Sequence, residues 1–339
     1  MKKNKPLLSV IIPTYNSEET LGLCLKALRE QTLDQDQVEI LVIDGGSIDK
    51  TKEIAKEYNS IIIENPKRLP IYAFELGFIH AKGSYIFKIG SDEVHLNENS
   101  LQQKIELFEN NKELNCIGTN KNISPKFDKK HFSRSYLNHF GEPFTAFVYK
   151  KRDTEIETFK KRIIKKESNG SCIIKVEENK PYPILDGATL LSLDYVRENF
   201  SKEMNNLDYI TQIAEHCVIK SGVVGFIEHD AVLHIAKASF GGYLKKIKFR
   251  IVNNVFNQKI SGYSIVAKRV PQLNRRKYLF ALYCLSIILP IIHSIYYAVR
   301  HKDITLLAHF IYAEYTFIII VYCLFRKLIN LPMENKSYG

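Results

Sequence analysis

No C-x-x-C pair occurs in the chain, and its six cysteines (Cys24, Cys116, Cys172, Cys217, Cys284 and Cys323) are scattered along 339 residues. That spacing fits neither a disulfide scaffold nor a zinc site, so a reducing compartment is the simpler setting. A signal peptide is also missing. The N-terminus is basic, but the apolar run behind it, 7–13, is too short and too β-branched. No G-x-G-x-x-G follows that run, which argues against a Rossmann oxidoreductase. Internal repeats and low-complexity tracts are absent. One stretch lacks acid altogether: residues 236–277 hold 11 Lys+Arg and no Asp or Glu. The net charge of +11 therefore resides there, with the rest of the chain neutral. Its place just before a long apolar region suits anionic lipid headgroups and not nucleic acid.

What is present begins with that apolar region. Residues 278–299 and 304–325 are each 22 long and nearly free of charge, and each would span about 33 Å as a helix, enough for a bilayer core. Only Arg300-His301-Lys302-Asp303 joins them, so a two-helix transmembrane hairpin is expected. Lys268, Arg269, Arg275, Arg276 and Lys277 precede it and Arg326 and Lys327 follow, which places both ends in the cytosol by the positive-inside bias. His309 and Glu314 fall within the second span and call for polar partners or a protein-facing orientation. Before the hairpin, 239–256 sets Phe240, Tyr243, Leu244, Ile247, Ile251 and Val255 on one helical face beside Lys245, Lys246, Lys248 and Arg250. This pattern predicts a basic amphipathic helix in the headgroup layer, or one packed on the protein.

The N-terminal part reads as α/β. Residues 7–13, 38–44, 60–64 and 84–89 are short apolar strands, separated by helical patterns over 17–31, 50–58 and 71–82. Such alternation predicts a doubly wound, mostly parallel sheet with ligands at the carboxyl ends of its strands. Tyr15, Asp44 and Asp92 fall at those ends. A helix is expected over 97–110, a short strand over 114–118, a polar variable insertion over 123–180, a helix over 207–220 and one or two strands over 222–234.

Three segments carry the chemistry: Ser9-Val10-Ile11-Ile12-Pro13-Thr14-Tyr15-Asn16, then Ile43-Asp44-Gly45-Gly46-Ser47-Ile48-Asp49, then an acidic pair after the fourth strand. Together they resemble the family 2 inverting glycosyltransferases, whose nucleotide-sugar-binding fold is called GT-A. Glu64-Asn65-Pro66-Lys67-Arg68 with Ala81-Lys82-Gly83 is similar to members that extend bacterial exopolysaccharides. The resemblance implies donor binding by Pro13, Tyr15, Asn16, Asp44, Ser47, Lys67 and Asp92. A flat ring at Tyr15 suits a base, and Asp44 is a candidate acceptor for a base N–H, or else a cap for the turn after it. A diphosphate leaving group needs its charge neutralised, by a divalent metal (Mg or Mn) in this family. The family's Asp-x-Asp is here Gly90-Ser91-Asp92, so Asp92 with Glu93 forms the candidate metal pair. His234, after the last strand, is either near the phosphates or structural. Asp208 matches the family's general base, which takes the acceptor's proton. Asp186-Gly187 resembles the glycine turn of the acceptor site.

These readings divide the chain into a donor half (1–120), an acceptor half (121–235), a basic membrane-surface segment (236–277), the transmembrane hairpin (278–325) and a cytosolic tail (326–339). The implied protein is an inner- or plasma-membrane enzyme with its catalytic domain in the cytosol. It would pass a sugar from a nucleotide-sugar donor to a lipid-linked or glycan acceptor in cell-surface polysaccharide synthesis, held by anionic membrane lipids. Transfer to a polyprenyl phosphate, and a non-catalytic nucleotide-binding scaffold, are the alternatives.

Overall fold

The computed structural model describes residues 5–119, 121–125, 128–149, 156–177, 185, 187–202, 210, 212–252 and 275–332. They belong to two compact units. The first comprises Met1–Ile123, Thr154–Glu178 and Tyr182–Ile235, and the second Ser124–Asp153, Asn179–Pro181 and Ala236–Gly339. The polar middle of the chain is thus shared: Ser124–Asp153 groups with the C-terminal region and not with the acceptor half expected from sequence.

In the first unit, β1 (Leu8–Thr14), β2 (Val38–Asp44), β3 (Ile61–Glu64) and β4 (Tyr85–Lys88) alternate with α1 (Leu21–Arg29), α2 (Thr51–Glu57) and α3 (Pro70–His80). All four strands run parallel. The sheet widens through β10 (Thr189–Ser192), β6 (Cys116–Ile117), β11 (Val223–Ile227), β9 (Ser171–Lys175) and β8 (Ile163–Lys166), in the order β3-β2-β1-β4-β10-β6-β11-β9-β8. It is mostly parallel, as expected, because only β9 and β10 run against the rest.

Both faces are covered, which is why the strands are apolar throughout. Val10 and Ile12 of β1 pack with Leu21, Cys24, Leu25 and Leu28 of α1, and with Leu101 and Ile105 of α4 (Ser100–Asn110). Ile11 points the other way, into a core with Ala73 and Phe78 of α3, Val196 of α7 (Leu193–Phe200) and Ile213 of α8 (Ile213–Ser221). Gly77 lets α3 sit close on β1, since a Cβ there would meet Ile11 Cγ2 at 2.5 Å. A second sheet joins β5 (Glu93–His95), β12 (Ala231–His234) and β7 (Lys121–Ile123) beside the tip of β4.

The second unit is helical among its described residues: α5 (Arg134–Phe140), α6 (Pro143–Tyr149), α9 (Phe240–Ile251), α10 (Arg276–Leu285), α11 (Ile288–His301), a 3-10 turn over Ile304–Ala308 and α12 (His309–Leu328). Of the transmembrane hairpin expected over 278–325, the described residues show one straight helix of that kind and one bent pair. Over 278–299, α10 and α11 meet at 97°, the geometry of a broken span or a re-entrant loop. Pro290 accounts for the break: in a continuous helix its ring would collide with the Ser286 carbonyl and the bond to that carbonyl would be missing. The chain turns instead at Ile287, in the left-handed region with φ 57°. At about 1.5 Å per residue neither helix crosses a bilayer core alone. One helix, Ile304–Leu328, is long and apolar enough to cross a membrane.

His309 finds the polar partners that its setting requires. One ring nitrogen pairs with Tyr136 Oη at 2.7 Å and the other with Tyr283 Oη at 2.8 Å. The predicted basic amphipathic helix forms as α9, with Tyr243, Ile247 and Ile251 buried. Those three pack in a cluster with Tyr136, Tyr312 and Ile319, so the face expected to meet lipid meets protein.

Candidate active site

The tips of β1, β2 and β4 are cross-bonded. Asn16 takes a left-handed backbone (φ 48°), which turns its amide toward Ser47 Oγ at 2.9 Å. Its own Oδ1 accepts the Ile48 N–H at 3.0 Å, so the β1 and β2 loops hold each other reciprocally. Ser17 continues the connection: its N–H donates to Thr51 Oγ1 at 2.7 Å, and its Oγ lies 3.0 Å from Ser91 Oγ in the loop after β4.

Asp44 is fully buried at the end of β2. Its Oδ2 accepts the N–H groups of Gly46 at 3.0 Å and Ser47 at 2.9 Å, while Thr14 Oγ1 and Ser47 Oγ donate to Oδ1. The carboxylate therefore shapes the loop, and contact with a base would exchange one of these bonds. Beside it Tyr15 keeps 37% of its surface exposed, its ring 3.5 Å from where a Cβ on Gly45 would stand. Pro13 is half-buried in β1, opposite Ile43. Lys67 lies over the Tyr72 ring, 4.1 Å from its centroid. It is Arg68 that covers the β2 loop: with φ 59° it lays Nε and Nη2 about Gly46, each 3.8 Å from the position of an added Cβ.

The acidic pair after β4 splits in two directions. Glu93 is buried, accepts the Gly90 N–H at 2.8 Å and packs against Gly187. A Cβ on Gly187, whose φ is 94°, would lie 2.6 Å from Glu93 Oε1, so that turn depends on glycine. Asp92 is more exposed, with Oδ2 3.4 Å from His234 Nε2. The pairing of β5 with β12 brings them together, by placing Glu93 opposite His234. At Gly90 an added Cβ would stand 2.9 Å from Asp92 Oδ1, so a side chain there would need the Asp92 carboxylate to shift. Asp186 and Asp208 lie outside the described residues.

Behind this tip is a buried ionic cluster. Lys104 of α4 is fully buried, its Nζ 2.7 Å from Asp230 Oδ2 and 3.2 Å from Thr119 Oγ1. Thr119 Oγ1 in turn donates to the Ala188 carbonyl, next to Gly187. Ser100 Oγ donates to Asp230 Oδ1 at 2.7 Å. Burial works to raise the Asp230 pKa, but the Lys104 ammonium and the hydrogen bonds from Lys104 and Ser100 outweigh it and hold the carboxyl below its ordinary value. His95, with Nδ1 3.6 Å from Asp230 Oδ1, is pushed down to about 4, chiefly by burial. An imidazole kept neutral in the fold and titrating near 6.5 when unfolded makes stability fall as pH drops from about 6.5 toward 4. The expected loss is about 3 kcal/mol by pH 4. Urea midpoints at pH 7 and 5 should differ, and His95→Leu should flatten that difference.

The profile described as Glycosyl transferase family 2 matches residues 9–172. That stretch is a family 2 domain. Glycosyltransferase AglE of Haloferax volcanii is 35% identical over 98 residues, 27% of this chain and 32% of that protein. The dolichyl N-acetyl-alpha-D-glucosaminyl phosphate 3-beta-D-2,3-diacetamido-2,3-dideoxy-beta-D-glucuronosyltransferase of Methanococcus voltae is 33% identical over 109 residues, 30% of this chain and 34% of the other. The chain thus spans about a third of the length of these curated relatives. Among solved structures, mannosyltransferase PcManGT of Pyrobaculum calidifontis aligns with a TM-score of 0.49 at 11% identity, covering 96% of this chain and 88% of that one.

Within the family 2 domain, Pro13, Tyr15, Asn16, Asp44, Ser47 and Asp92 gather at one end of the sheet. Two residues there were not singled out as a set from sequence. Nothing in the linear sequence marks the left-handed backbone of Arg68. Lys104 did leave a signal, because it occupies an inward position beside Leu101, Ile105 and Phe108 of α4. A lysine on the buried stripe of a helix requires an acid within reach.

Proposed function

We propose that the chain is an inverting glycosyltransferase that takes a sugar from a nucleotide diphosphate donor. The acceptor is lipid-linked or a glycan, at the cytosolic face of a membrane, in cell-surface polysaccharide synthesis. The observation that carries this is the side-by-side placement of Asp92 and His234 beneath the cross-bonded tips of β1, β2 and β4 in a family 2 domain. Tyr15 offers the base an exposed ring, and Arg68 sets a cation beside the loop after β2.

No three His, Cys, Asp or Glu among the described residues form a metal cluster. Asp92 nevertheless fits a cation of the Mg or Mn kind, with His234 beside it as a second ligand for Mn. Such an ion takes one or two protein ligands and completes its shell with phosphate oxygens and water. Bound there, it would neutralise the diphosphate as that group leaves. Glu93, turned to the Gly90 amide, supports the loop beneath. Asp208 is proposed as the base that removes the acceptor hydroxyl's proton, with Asp186 and Gly187 lining the acceptor side. A lipid-linked acceptor is supported by the Methanococcus voltae relative, whose name gives a dolichyl phosphate-linked sugar.

The test is calorimetric titration of UDP and GDP into the full chain in detergent, with and without Mn or Mg. Asp92→Ala and His234→Ala should each weaken metal-dependent binding by about 100-fold, and metal-independent binding little. Equal affinities in parent and variants would remove the assignment.

A further inference from the structure

The second unit carries most of the exposed apolar surface. Of the 32 large hydrophobic residues exposed among the described ones, 23 lie between Tyr278 and Leu331, far more than a water-facing surface carries in one region. On the helix running through α12, Ile304, Leu307, Ile311, Ile318, Val321 and Phe325 recur every three or four residues as a lengthwise apolar stripe, interrupted once at its middle by the partly buried Glu314. The opposite face, His309, Tyr312, Thr316, Ile319 and Cys323, is buried.

What buries it decides the orientation. α9 lies along α12: Phe240 and Tyr243 stand 5.6 Å and 4.8 Å from Tyr312 between ring centroids. Ile247 and Ile251 share a cluster with Ile319 and Cys323, and Lys248 is close enough to Cys323 to act electrostatically on its thiol. α9, with Lys245, Lys246, Lys248 and Arg250, therefore runs beside the Tyr312–Cys323 stretch of α12. Residues 236–277 hold no acid. Were Ile304–Leu328 upright in a bilayer, Tyr312–Cys323 would fall within the hydrocarbon core of about 30 Å and carry those cations with them. Cations at that depth are strongly disfavoured. With the helix flat, the apolar stripe enters one leaflet and the flanking cations reach lipid phosphates. The bent α10–α11 pair suits the same placement, because neither helix is long enough to cross.

We infer that the second unit docks into a single leaflet of an anionic bilayer without crossing it. This deepens the membrane attachment proposed above and does not depend on catalysis. Exposed Lys302 and Asn330 flank the apolar helix, so single Lys302→Cys and Asn330→Cys variants report its two ends. Both are made in the full chain, in membranes of the expressing cell. The six native cysteines are buried, and the parent chain gives the background. A membrane-impermeant maleimide applied to inside-out vesicles and to intact spheroplasts should label both positions in one preparation and neither in the other. Labelling of one position in each preparation would mean a crossing helix and would overturn the inference. On phosphatidylcholine vesicles with phosphatidylglycerol, Lys245→Gln and Lys248→Gln should each weaken binding roughly fivefold at low salt. Affinity unchanged in both, with or without anionic lipid, would overturn it equally. Neither readout uses activity, so failure of the enzymatic reading would register separately.

Discussion

Asp208→Asn is expected to slow sugar transfer by about 10²–10⁴-fold while donor binding is unchanged, the effect of removing a general base. An acceptor hydroxyl is a weak nucleophile at neutral pH, and attack on the anomeric carbon needs its proton to leave as the bond forms. Asparagine keeps the shape and one hydrogen bond but has no basic oxygen. Single-turnover transfer with saturating donor measures the chemical step, and titration of the same variant with nucleotide measures binding. Loss confined to the first assigns the base, because folding failure would take both. A variant that keeps full transfer would return the role to another carboxylate or favour a phosphate acceptor, which is already nucleophilic.

Lys104→Met should destabilise the first unit by about 3–5 kcal/mol, the usual result of stranding a buried charge. The side chain is fully buried, so methionine fills its volume, and what is lost is the counter-charge to Asp230. The remaining carboxylate keeps Ser100 and a neutral His95, neither of which replaces an ammonium at 2.7 Å. The double variant Lys104→Met with Asp230→Leu should recover much of the loss, since apolar replacements of buried pairs are often neutral or better. Denaturant titrations of the two singles and the double supply the cycle. Additive losses would mean that the pair is not coupled.

The donor half was legible because its signals are short and local. Alternating strands and helices to Lys88 follow from runs of Val, Ile and Leu broken by glycine and polar loops, and Val38–Asp44 appears with the bounds read from sequence. The middle was not legible, since α5 buries Tyr136, Leu137 and Phe140 against residues about a hundred or more positions away. No window of sequence contains both sides of that contact. The bend in the apolar tail was not legible for a related reason: hydropathy counts Leu and Ile alike whether the helix is straight or broken, and Pro290 is the local mark of the break. In the site, Asp92 was readable from its place after β4. Its neighbour His234 depended on a strand pairing across 142 positions, which spacing alone does not show.

The reciprocal bonds of Asn16 with Ser47 and Ile48, and the contact of Ser17 with Ser91, have a bearing on speed. Three loops already locked to one another do not have to be ordered when a donor arrives, so little conformational freedom is surrendered on capture. Association should then approach the rate set by diffusion and charge, and the temperature dependence of capture should be shallow. Any slow step in a catalytic cycle would have to come from elsewhere, in the reaction itself or in release of the spent nucleotide.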